Sequence, residues 1–315
     1  MESKNLETLR IFITGGCGFI GSHLVKRCEE LGARVSVLKE PKDSCQRLHE
    51  MQDKIEMFEC SLADTATLKK IVTKLQPQIV FHLAARLFHT HSLDQFDELY
   101  NVNVLGTKSL LDILLKNSEV QRFLYVGTGE EYGSGPIPFQ ESQPGSPVSL
   151  YSLCKLMATK MVEYAALYES FPGVILRLAV VYGPAQDTHM FIPSLIRSCI
   201  EKKDFPMTQG EQTRDFLFVE DVIEGLILAA KTPGIEGEII NLGSGKELSI
   251  KEVAQHINNV MGNPIKLDRG AKPYRSPEIM RYCLNIEKAK TLLGWEPEVS
   301  FQEGLKRTID WYKRQ

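Results

Sequence analysis

The segment Arg10-Ile-Phe-Ile-Thr-Gly-Gly-Cys-Gly-Phe-Ile-Gly21 decides the fold of this 315-residue chain. Its apolar first part is typical of a buried β-strand, and a glycine follows at every third position before an amphipathic stretch begins. This spacing allows a tight turn, close approach to a pyrophosphate and close packing of the next helix, whose first amide groups face the phosphates. The segment therefore predicts a dinucleotide site formed by Gly15, Gly18, Phe19, Ile20 and Gly21.

Short β-branched runs alternate with longer amphipathic stretches over the first 180 residues. This alternation is typical of an α/β protein with a parallel sheet covered by helices on both faces, a doubly wound Rossmann fold. The predicted strands are 10–14, 34–38, 55–59, 79–83, 123–127 and 174–178. The predicted helices are 21–31, 66–75, 94–116 and 149–170. Prolines break both patterns in 133–147, which should be a long ordered loop over the cleft.

The pattern loses its regularity after residue 183. Helices are predicted at 192–201, 250–261 and 286–293, and one strand at 239–241. We therefore expect a smaller C-terminal substrate domain, interleaved with the first. The dinucleotide-binding domain would comprise 1–183 and about 217–245, and the substrate domain about 184–216 and 246–315.

Composition excludes several classes of partner. The 37 basic and 40 acidic residues give a net charge of −3, which attracts neither nucleic acid nor anionic lipid. Residues 1–7 are charged where a signal peptide would be apolar, and no run of about 18 apolar residues occurs, so we expect a cytoplasmic protein without membrane contact. The seven cysteines are scattered and lack a Cys-x-x-Cys pair. This favours reduced thiols, with neither a disulfide framework nor a metal site.

Position 39 ends the second predicted strand, where an acidic residue would hold the adenosine ribose of NAD. Here the residue is Lys39, followed by Glu40. Lysine could meet the 2′-phosphate of NADP, Glu40 could still reach a ribose hydroxyl, or both could be solvated. The cofactor is therefore NAD or NADP, with a slight preference for NADP.

Tyr151 and Lys155 lie four residues apart on a predicted helix, so their side chains share one face. An ammonium beside a phenol would lower the phenol pKa and make it a usable acid/base, although the spacing alone could be a coincidence. Thr128 follows a predicted strand at the sheet edge where open α/β sheets bind ligands. Its hydroxyl could contact the same substrate oxygen as Tyr151.

These residues resemble the extended short-chain dehydrogenase/reductase family, the nucleotide-sugar epimerases, dehydratases and reductases. The resemblance runs over nearly the whole chain. Its marks are Thr14 to His23, His82-Leu-Ala-Ala85, Asn103 to Thr107, Thr128-Gly-Glu-Glu-Tyr-Gly133, Tyr151-Ser-Leu-Cys-Lys155, Arg177 through Tyr182-Gly-Pro184, and Arg214 to Val219.

The resemblance implies roles for individual residues. Tyr151 would be the acid/base, Lys155 would also hold the nicotinamide ribose, and Thr128 would orient the sugar hydroxyl. Arg214 and Arg275 would grip the pyrophosphate of a nucleotide-diphosphate sugar, unless they form surface salt bridges. Further cofactor contacts are implied for Ser61, Leu62, Leu83, Ala84, Ala85 and Asn103. Two positions depart from the family: Val180 replaces a substrate-contacting asparagine, and Ser61 replaces an aspartate beside adenine.

Family members share oxidation at sugar C4 and diverge afterwards. A 4,6-dehydratase of the dTDP-glucose type uses Asp and Glu directly after the threonine, whereas this chain has Gly129 and Glu130. Glycine cannot protonate a leaving hydroxyl, which slightly favours an epimerase. The alternatives are a dehydratase, in which Glu130 would be catalytic, and a 4-keto-6-deoxysugar reductase. A non-catalytic dinucleotide sensor is the remote alternative, because Thr128, Tyr151 and Lys155 occur together.

The stretches 94–116 and 149–170 are longer than packing on one sheet face requires. In the resembling family the matching helices pair across a two-fold axis into a four-helix bundle. We therefore expect a homodimer.

Overall fold

The computed structural model describes residues 6–87, 93–117 and 119–315. Most of the charged N-terminal stretch 1–7 thus lies outside the described residues. The strands are β1 Arg10–Thr14, β2 Arg34–Lys39, β3 Glu56–Glu59, β4 Ile79–His82, β5 Arg122–Thr128, β6 Gly173–Leu178, β7 Val180–Tyr182, β8 Phe205–Met207, β9 Thr213–Phe218, β10 Ile239–Leu242, β11 Glu247–Ser249 and β12 Leu267–Arg269. The helices are α1 Phe19–Glu30, α2 Thr65–Leu75, α3 Phe96–Tyr100, α4 Gly106–Leu114, α5 Leu150–Tyr168, α6 Phe191–Glu201, α7 Val219–Lys231, α8 Ile250–Val260, α9 Glu287–Leu293 and α10 Phe301–Tyr312.

The main sheet has seven parallel strands in the order β3-β2-β1-β4-β5-β6-β10. The order reverses beside β1, which is the topological switch point of a doubly wound Rossmann fold. This confirms the predicted fold class. The carboxyl ends of β1, β4 and β5 meet on one edge, so Thr14, His82 and Thr128 all lie there.

Helices cover both faces of the main sheet. One buried cluster joins α1 and α7 to the sheet through Leu24, Val25 and Leu226. The opposite cluster joins α2, α4 and α5 through Leu68, Leu110 and Val162. Each buried apolar side chain of this size contributes about 1.5–3 kcal/mol, so these two layers supply much of the driving force for folding.

The predicted helix 94–116 is present but interrupted. A 3-10 turn at Leu93–Gln95 precedes α3, and the π-helical segment Asn101–Leu105 separates α3 from α4. Asn103 in that segment accepts a hydrogen bond from the Arg86 amide at 2.7 Å and donates one to the Arg86 carbonyl at 2.9 Å. π-Helical turns often occur at functional sites. Here the turn fastens the helix to the loop that follows β4.

Apart from β10, the strands after β6 form two smaller sheets. β9 pairs in parallel with β7 and antiparallel with β11, while β8 pairs with β12. A third cluster, including Leu195, Phe216, Ile257 and Leu305, packs α6, α8 and α10 against β9. The segment 133–148 contains neither helix nor strand, as predicted. In the described part of the chain we find no helix long and apolar enough to span a bilayer.

Candidate active site

The glycine turn packs too closely against backbone atoms for side chains at two positions. Gly15 has φ +73°, and a Cβ built there would lie 2.6 Å from the Ala84 amide nitrogen. A Cβ on Gly21 would overlap the Gly15 carbonyl oxygen. α1 starts at Phe19 with Gly18 as its exposed N-cap, so its first amides face a cleft of about 1330 Å³. These contacts fit a dinucleotide pyrophosphate.

The cleft runs from the glycine turn along the ends of neighbouring strands. Predicted cofactor residues that line it are Gly15, Gly18, Leu62, Leu83, Ala84 and Ala85. Leu38 and Leu62 give one end an apolar lining, which suits an adenine ring. Ser61 lies in the turn after β3, where its hydroxyl accepts a long hydrogen bond from the Ala63 amide at 3.4 Å. Phe19 and Ile20 begin α1, partly buried behind the turn.

Lys39 is held by a neighbouring strand. It ends β2 opposite Glu59 of β3, and its Nζ lies 2.9 Å from the Glu59 carboxylate. Its positive charge is thus already paired. Glu40, the next residue, lines the cleft.

The prediction that all cysteines are reduced is wrong. Cys17, within the glycine turn, forms a disulfide with Cys45, which follows β2. The other five cysteines are free and buried. Counting cysteines along the sequence could not reveal this pair, because 28 residues separate its members.

Thr128 ends β5 and caps the short 3-10 turn Gly129–Tyr132. Its hydroxyl accepts a hydrogen bond from the Glu130 amide at 3.2 Å, and its own amide donates to the Glu131 carboxylate at 3.0 Å. Accepting that bond leaves the hydroxyl hydrogen as a donor for a ligand oxygen. The capping box fixes the Thr128 side chain at the sheet edge.

Tyr151 and Lys155 lie in the first two turns of α5, whose N-cap Ser149 forms a capping box with Ser152. Lys155 Nζ donates to the Val126 carbonyl at 2.5 Å and lies 4.3 Å from the centre of the Tyr125 ring. Burial lowers the pKa of Lys155 to about 8, which the negative charge of Glu131 partly opposes. The ammonium is therefore fixed against β5 and remains charged at neutral pH.

The expected lowering of the Tyr151 pKa is wrong. Burial raises this pKa, and the carboxylates of Glu130 and Glu131 raise it further. Desolvation disfavours the charged phenolate, and the Lys155 ammonium contacts the Val126 carbonyl and the Tyr125 ring. Tyr151 is consequently a neutral phenol at pH 7.

Glu131 and Arg177 form a buried ion pair that sequence reasoning did not single out. Arg177 Nη2 and Nε both lie 2.9 Å from Glu131 Oε2, and the Thr159 hydroxyl donates to the same oxygen at 2.9 Å. The other Glu131 oxygen receives the Thr128 amide. A charged Arg177 inside an otherwise apolar strand was the available signal.

His82 is also fully buried. Its ring nitrogens lie 2.6 Å from the Thr14 hydroxyl and 2.9 Å from the Thr107 hydroxyl. Burial, aided by the charge of Lys155, lowers the His82 pKa to about 3. The neutral ring thus joins β1, β4 and α4 beneath the cleft.

Glu130, Arg214, Arg275 and Glu278 form a group of charges that interact with one another. Arg214 donates to the carbonyls of Thr213 and Ile279 at 2.7 Å and pairs with Glu278. Burial raises the pKa of Glu130, and the charges of Arg214 and Arg275 oppose that rise. Arg275 itself is exposed. Both predicted pyrophosphate-binding arginines therefore act electrostatically on Glu130.

Tyr282 was not anticipated. Its side chain is buried, its hydroxyl donates to the Leu178 carbonyl at 3.3 Å, and a Cβ built on Gly129 would overlap that hydroxyl. The space beside Gly129 is thus filled by a phenol from a distant segment. Val180, which departs from the family pattern as Ser61 does, lies half-buried at the start of β7.

Comparison with known proteins decides the family. Residues 11–243 match the model of the NAD dependent epimerase/dehydratase family. The chain belongs to this family. It is 32% identical to a UDP-N-acetyl-alpha-D-glucosaminuronate decarboxylase of Bacillus cytotoxicus, over 96% of this chain and 98% of that protein. It is 31% identical to a putative UDP-glucose 4-epimerase of Methanocaldococcus jannaschii, with the same coverage.

Solved structures support the same family assignment. The UDP-glucose 4-epimerase of Thermotoga maritima, solved with UDP-glucose, superposes with a TM-score of 0.90 at 29% identity, covering 96% of this chain and 98% of that chain. Matching structures include an epimerase and a dTDP-glucose 4,6-dehydratase bound to NAD. The chain is therefore an NAD(P)-dependent enzyme of the epimerase/dehydratase type.

Proposed function

We propose that this enzyme epimerises a nucleotide-diphosphate sugar at C4 through transient oxidation. Tyr151 exchanges a proton with the sugar hydroxyl, Thr128 orients that hydroxyl, and Lys155 holds the nicotinamide ribose. When bound, the nicotinamide supplies reversible hydride transfer at the same carbon. This chain's own residues move the proton and hold the sugar.

Proton transfer through Tyr151 requires help from its surroundings. Burial and the carboxylates of Glu130 and Glu131 keep the phenol neutral at pH 7. The ammonium of Lys155, charged below about pH 8, is the cation on the same helix face that favours the phenolate when the sugar hydroxyl gives up its proton. Thr128 supports this step by donating its free hydroxyl hydrogen to the reacting oxygen.

The observation that carries the epimerase assignment is the contact between Gly129 and Tyr282. A dehydratase of the dTDP-glucose type needs a carboxylic acid at position 129 to protonate the leaving hydroxyl. The Tyr282 hydroxyl occupies the space that such a side chain would need. The Tyr282 hydroxyl already donates its hydrogen to the Leu178 carbonyl, so it does not replace the missing acid.

Arg214 and Arg275 are proposed to bind the substrate pyrophosphate. The charges of both arginines oppose the rise of the Glu130 pKa, which supports a cationic patch near the residue that follows Gly129. Arg214 is now paired with Glu278. A pyrophosphate would compete with that carboxylate for the guanidinium fork. UDP-glucose in the Thermotoga maritima epimerase supports a UDP-sugar as the substrate here.

We further propose that the cofactor is NAD. Pairing with Glu59 removes the charge of Lys39 as an attraction for a 2′-phosphate, and Glu40 in the cleft repels one. The proposed cofactor residues are Gly15, Gly18, Phe19, Ile20, Gly21, Ser61, Leu62, Leu83, Ala84, Ala85, Tyr151 and Lys155. Asn103 would act by fixing the Arg86 backbone. Residues 1–183 and about 217–245 would form the cofactor domain, and about 184–216 and 246–315 the sugar domain.

Homodimer formation in the cytoplasm completes the proposal. α5 carries three large side chains toward its end, Tyr164, Leu167 and Tyr168, that are 59%, 65% and 71% exposed. The two tyrosine rings contact each other at an interplanar angle of 38°, with centroids 4.8 Å apart. Leu105, beside α4, is also exposed. An apolar face of this kind fits a two-fold pairing of α4 and α5.

The function is tested by supplying a panel of nucleotide sugars in deuterated water. We expect C4 epimers with unchanged mass and no deuterium on ring carbons, because hydride return labels none of them. Loss of water with deuterium at C5 would identify a dehydratase and contradict the proposal. Loss of carbon dioxide from a uronic-acid substrate would identify a decarboxylase.

A further inference from the structure

We propose that Cys17 and Cys45 form a redox-modification site that sets how tightly the cleft holds its dinucleotide. The inference rests on cofactor binding in this cleft and is independent of the sugar reaction. The class of reactant is a low-molecular-weight thiol or disulfide.

The two cysteines join two separate segments of the cleft wall. Cys17 lies between Gly16 and Gly18 in the phosphate-binding turn, and Cys45 closes the segment that follows β2. Their Cα atoms are 4.7 Å apart, within the range that a disulfide permits. Both side chains line the cleft.

The bond fastens a segment that has few other contacts. Residues 41–44 are exposed, and the Asp43 amide is bonded only locally, to the Glu40 carbonyl at 2.9 Å. The next anchor along the chain is Arg47, which donates to the Ala185 carbonyl and pairs with Asp187. Breaking the disulfide therefore frees the segment that carries Glu40. Ligand binding must then order this segment again, which costs affinity.

The oxidant that forms the Cys17–Cys45 bond is an external disulfide, RSSR. The Cys17 thiolate, favoured by the amides that open α1, attacks one sulfur and releases RS⁻. The Cys45 thiolate then displaces the second RS⁻ from the mixed disulfide. One S–S bond forms and one breaks. The cysteine pair loses two electrons, RSSR gains them, and the two cysteine protons leave with two RSH.

The test measures the Kd for NAD of the full-length protein by calorimetry, after equilibration with oxidised glutathione or with dithiothreitol. We expect five free thiols in the oxidised protein and seven in the reduced protein. Reduction should raise the Kd about tenfold, because the freed segment must be ordered again. An unchanged Kd, a tighter reduced form, or seven thiols in both states would overturn the proposal.

Two variants separate this site from the other cysteines. Cys45→Ser should bind NAD with the affinity of the reduced wild-type protein in both buffers. Cys199→Ser, which changes a buried residue of α6 outside the disulfide, should keep the full redox response. A redox response that survives in Cys45→Ser would assign it to another thiol and overturn the proposal. Absence of NAD binding in either buffer would instead contradict the proposed function.

Discussion

The carboxylate of Glu131 and the guanidinium of Arg177 form an ion pair whose side chains are 0% and 2% exposed. Through its second oxygen Glu131 also receives the Thr128 amide. The position of Thr128 thus depends on a charge balance inside the protein. The Arg177 guanidinium lies 4.3 Å from the centre of the Tyr132 ring, which adds a second contact to the same turn.

Glu131→Gln should lower the free energy of unfolding by about 3–5 kcal/mol, because it leaves the Arg177 charge buried without its counter-ion. Denaturant unfolding measures the loss. Glu119→Gln is the matched control, since Glu119 pairs with Arg10 in an exposed bridge 3.3 Å long, worth about 0–1 kcal/mol. Equal losses of unfolding free energy in the two variants would show that burial does not increase the cost of breaking the Glu131–Arg177 pair.

Tyr151→Phe should retain the fold and NAD binding but reduce kcat by about 10²–10⁴-fold, because only the path of the phenolic proton is removed. Steady-state kinetics and NAD titration measure the two effects. Tyr164→Phe, which alters an exposed tyrosine later in the same helix, should change neither. Turnover of Tyr151→Phe within tenfold of the wild type would refute the acid/base role.

Glu130→Gln distinguishes the competing reactions. In an epimerase no C5 proton is removed, so the change should cost far less than the roughly 10²–10⁴-fold that accompanies loss of a general base. In a dehydratase the variant would stop water loss and leave reduced cofactor on the enzyme. Absorbance of bound cofactor, followed during turnover of the preferred sugar, separates these outcomes.

Glu40→Gln should weaken the binding of NAD and reduce the preference of the enzyme for NAD over NADP. The change removes a negative charge from the cleft while Lys39 stays paired with Glu59. Titration with both dinucleotides measures the ratio of the two Kd values. Glu30→Gln, at the far end of α1, serves as the control. A ratio that is unchanged in Glu40→Gln would show that Glu40 does not select the cofactor.

Leu167→Glu combined with Tyr168→Lys should convert the homodimer into a monomer by placing charges on the apolar face of α5. Light scattering at micromolar concentration measures the mass. Val260→Lys changes an exposed apolar residue at the end of α8 and should leave the dimer intact. A wild-type protein that is already monomeric would refute the proposed assembly.

Local signals explain what could be predicted from sequence. β1, the glycine turn and α1 form a contiguous pattern, so their order and function follow from about twenty residues. α10 was missed although Ser300 and Glu303 mark its start, where the Ser300 hydroxyl accepts from the Glu303 amide at 3.2 Å. Attention to helix caps would have found it.

Tertiary contacts explain the features that could not be predicted from sequence. β7 and β11 have three residues each, too few to show periodicity, and form only by pairing with β9. Tyr282 reaches Gly129 across more than 150 positions of sequence. Burial reversed the expected direction of the Tyr151 pKa, and burial at a single position cannot be read from spacing.

The position of β10 in the main sheet has a consequence for folding during synthesis. β10 pairs with β6 at one margin of the sheet, although more than 60 residues separate the two strands. A nascent chain that has emerged only as far as α6 therefore exposes the unpaired backbone of β6, a template for association with other chains. Asn241 of β10 also accepts a hydrogen bond from the Tyr132 hydroxyl at 2.8 Å. The turn beside Thr128 is thus completed late in synthesis, when the ribosome has released β10.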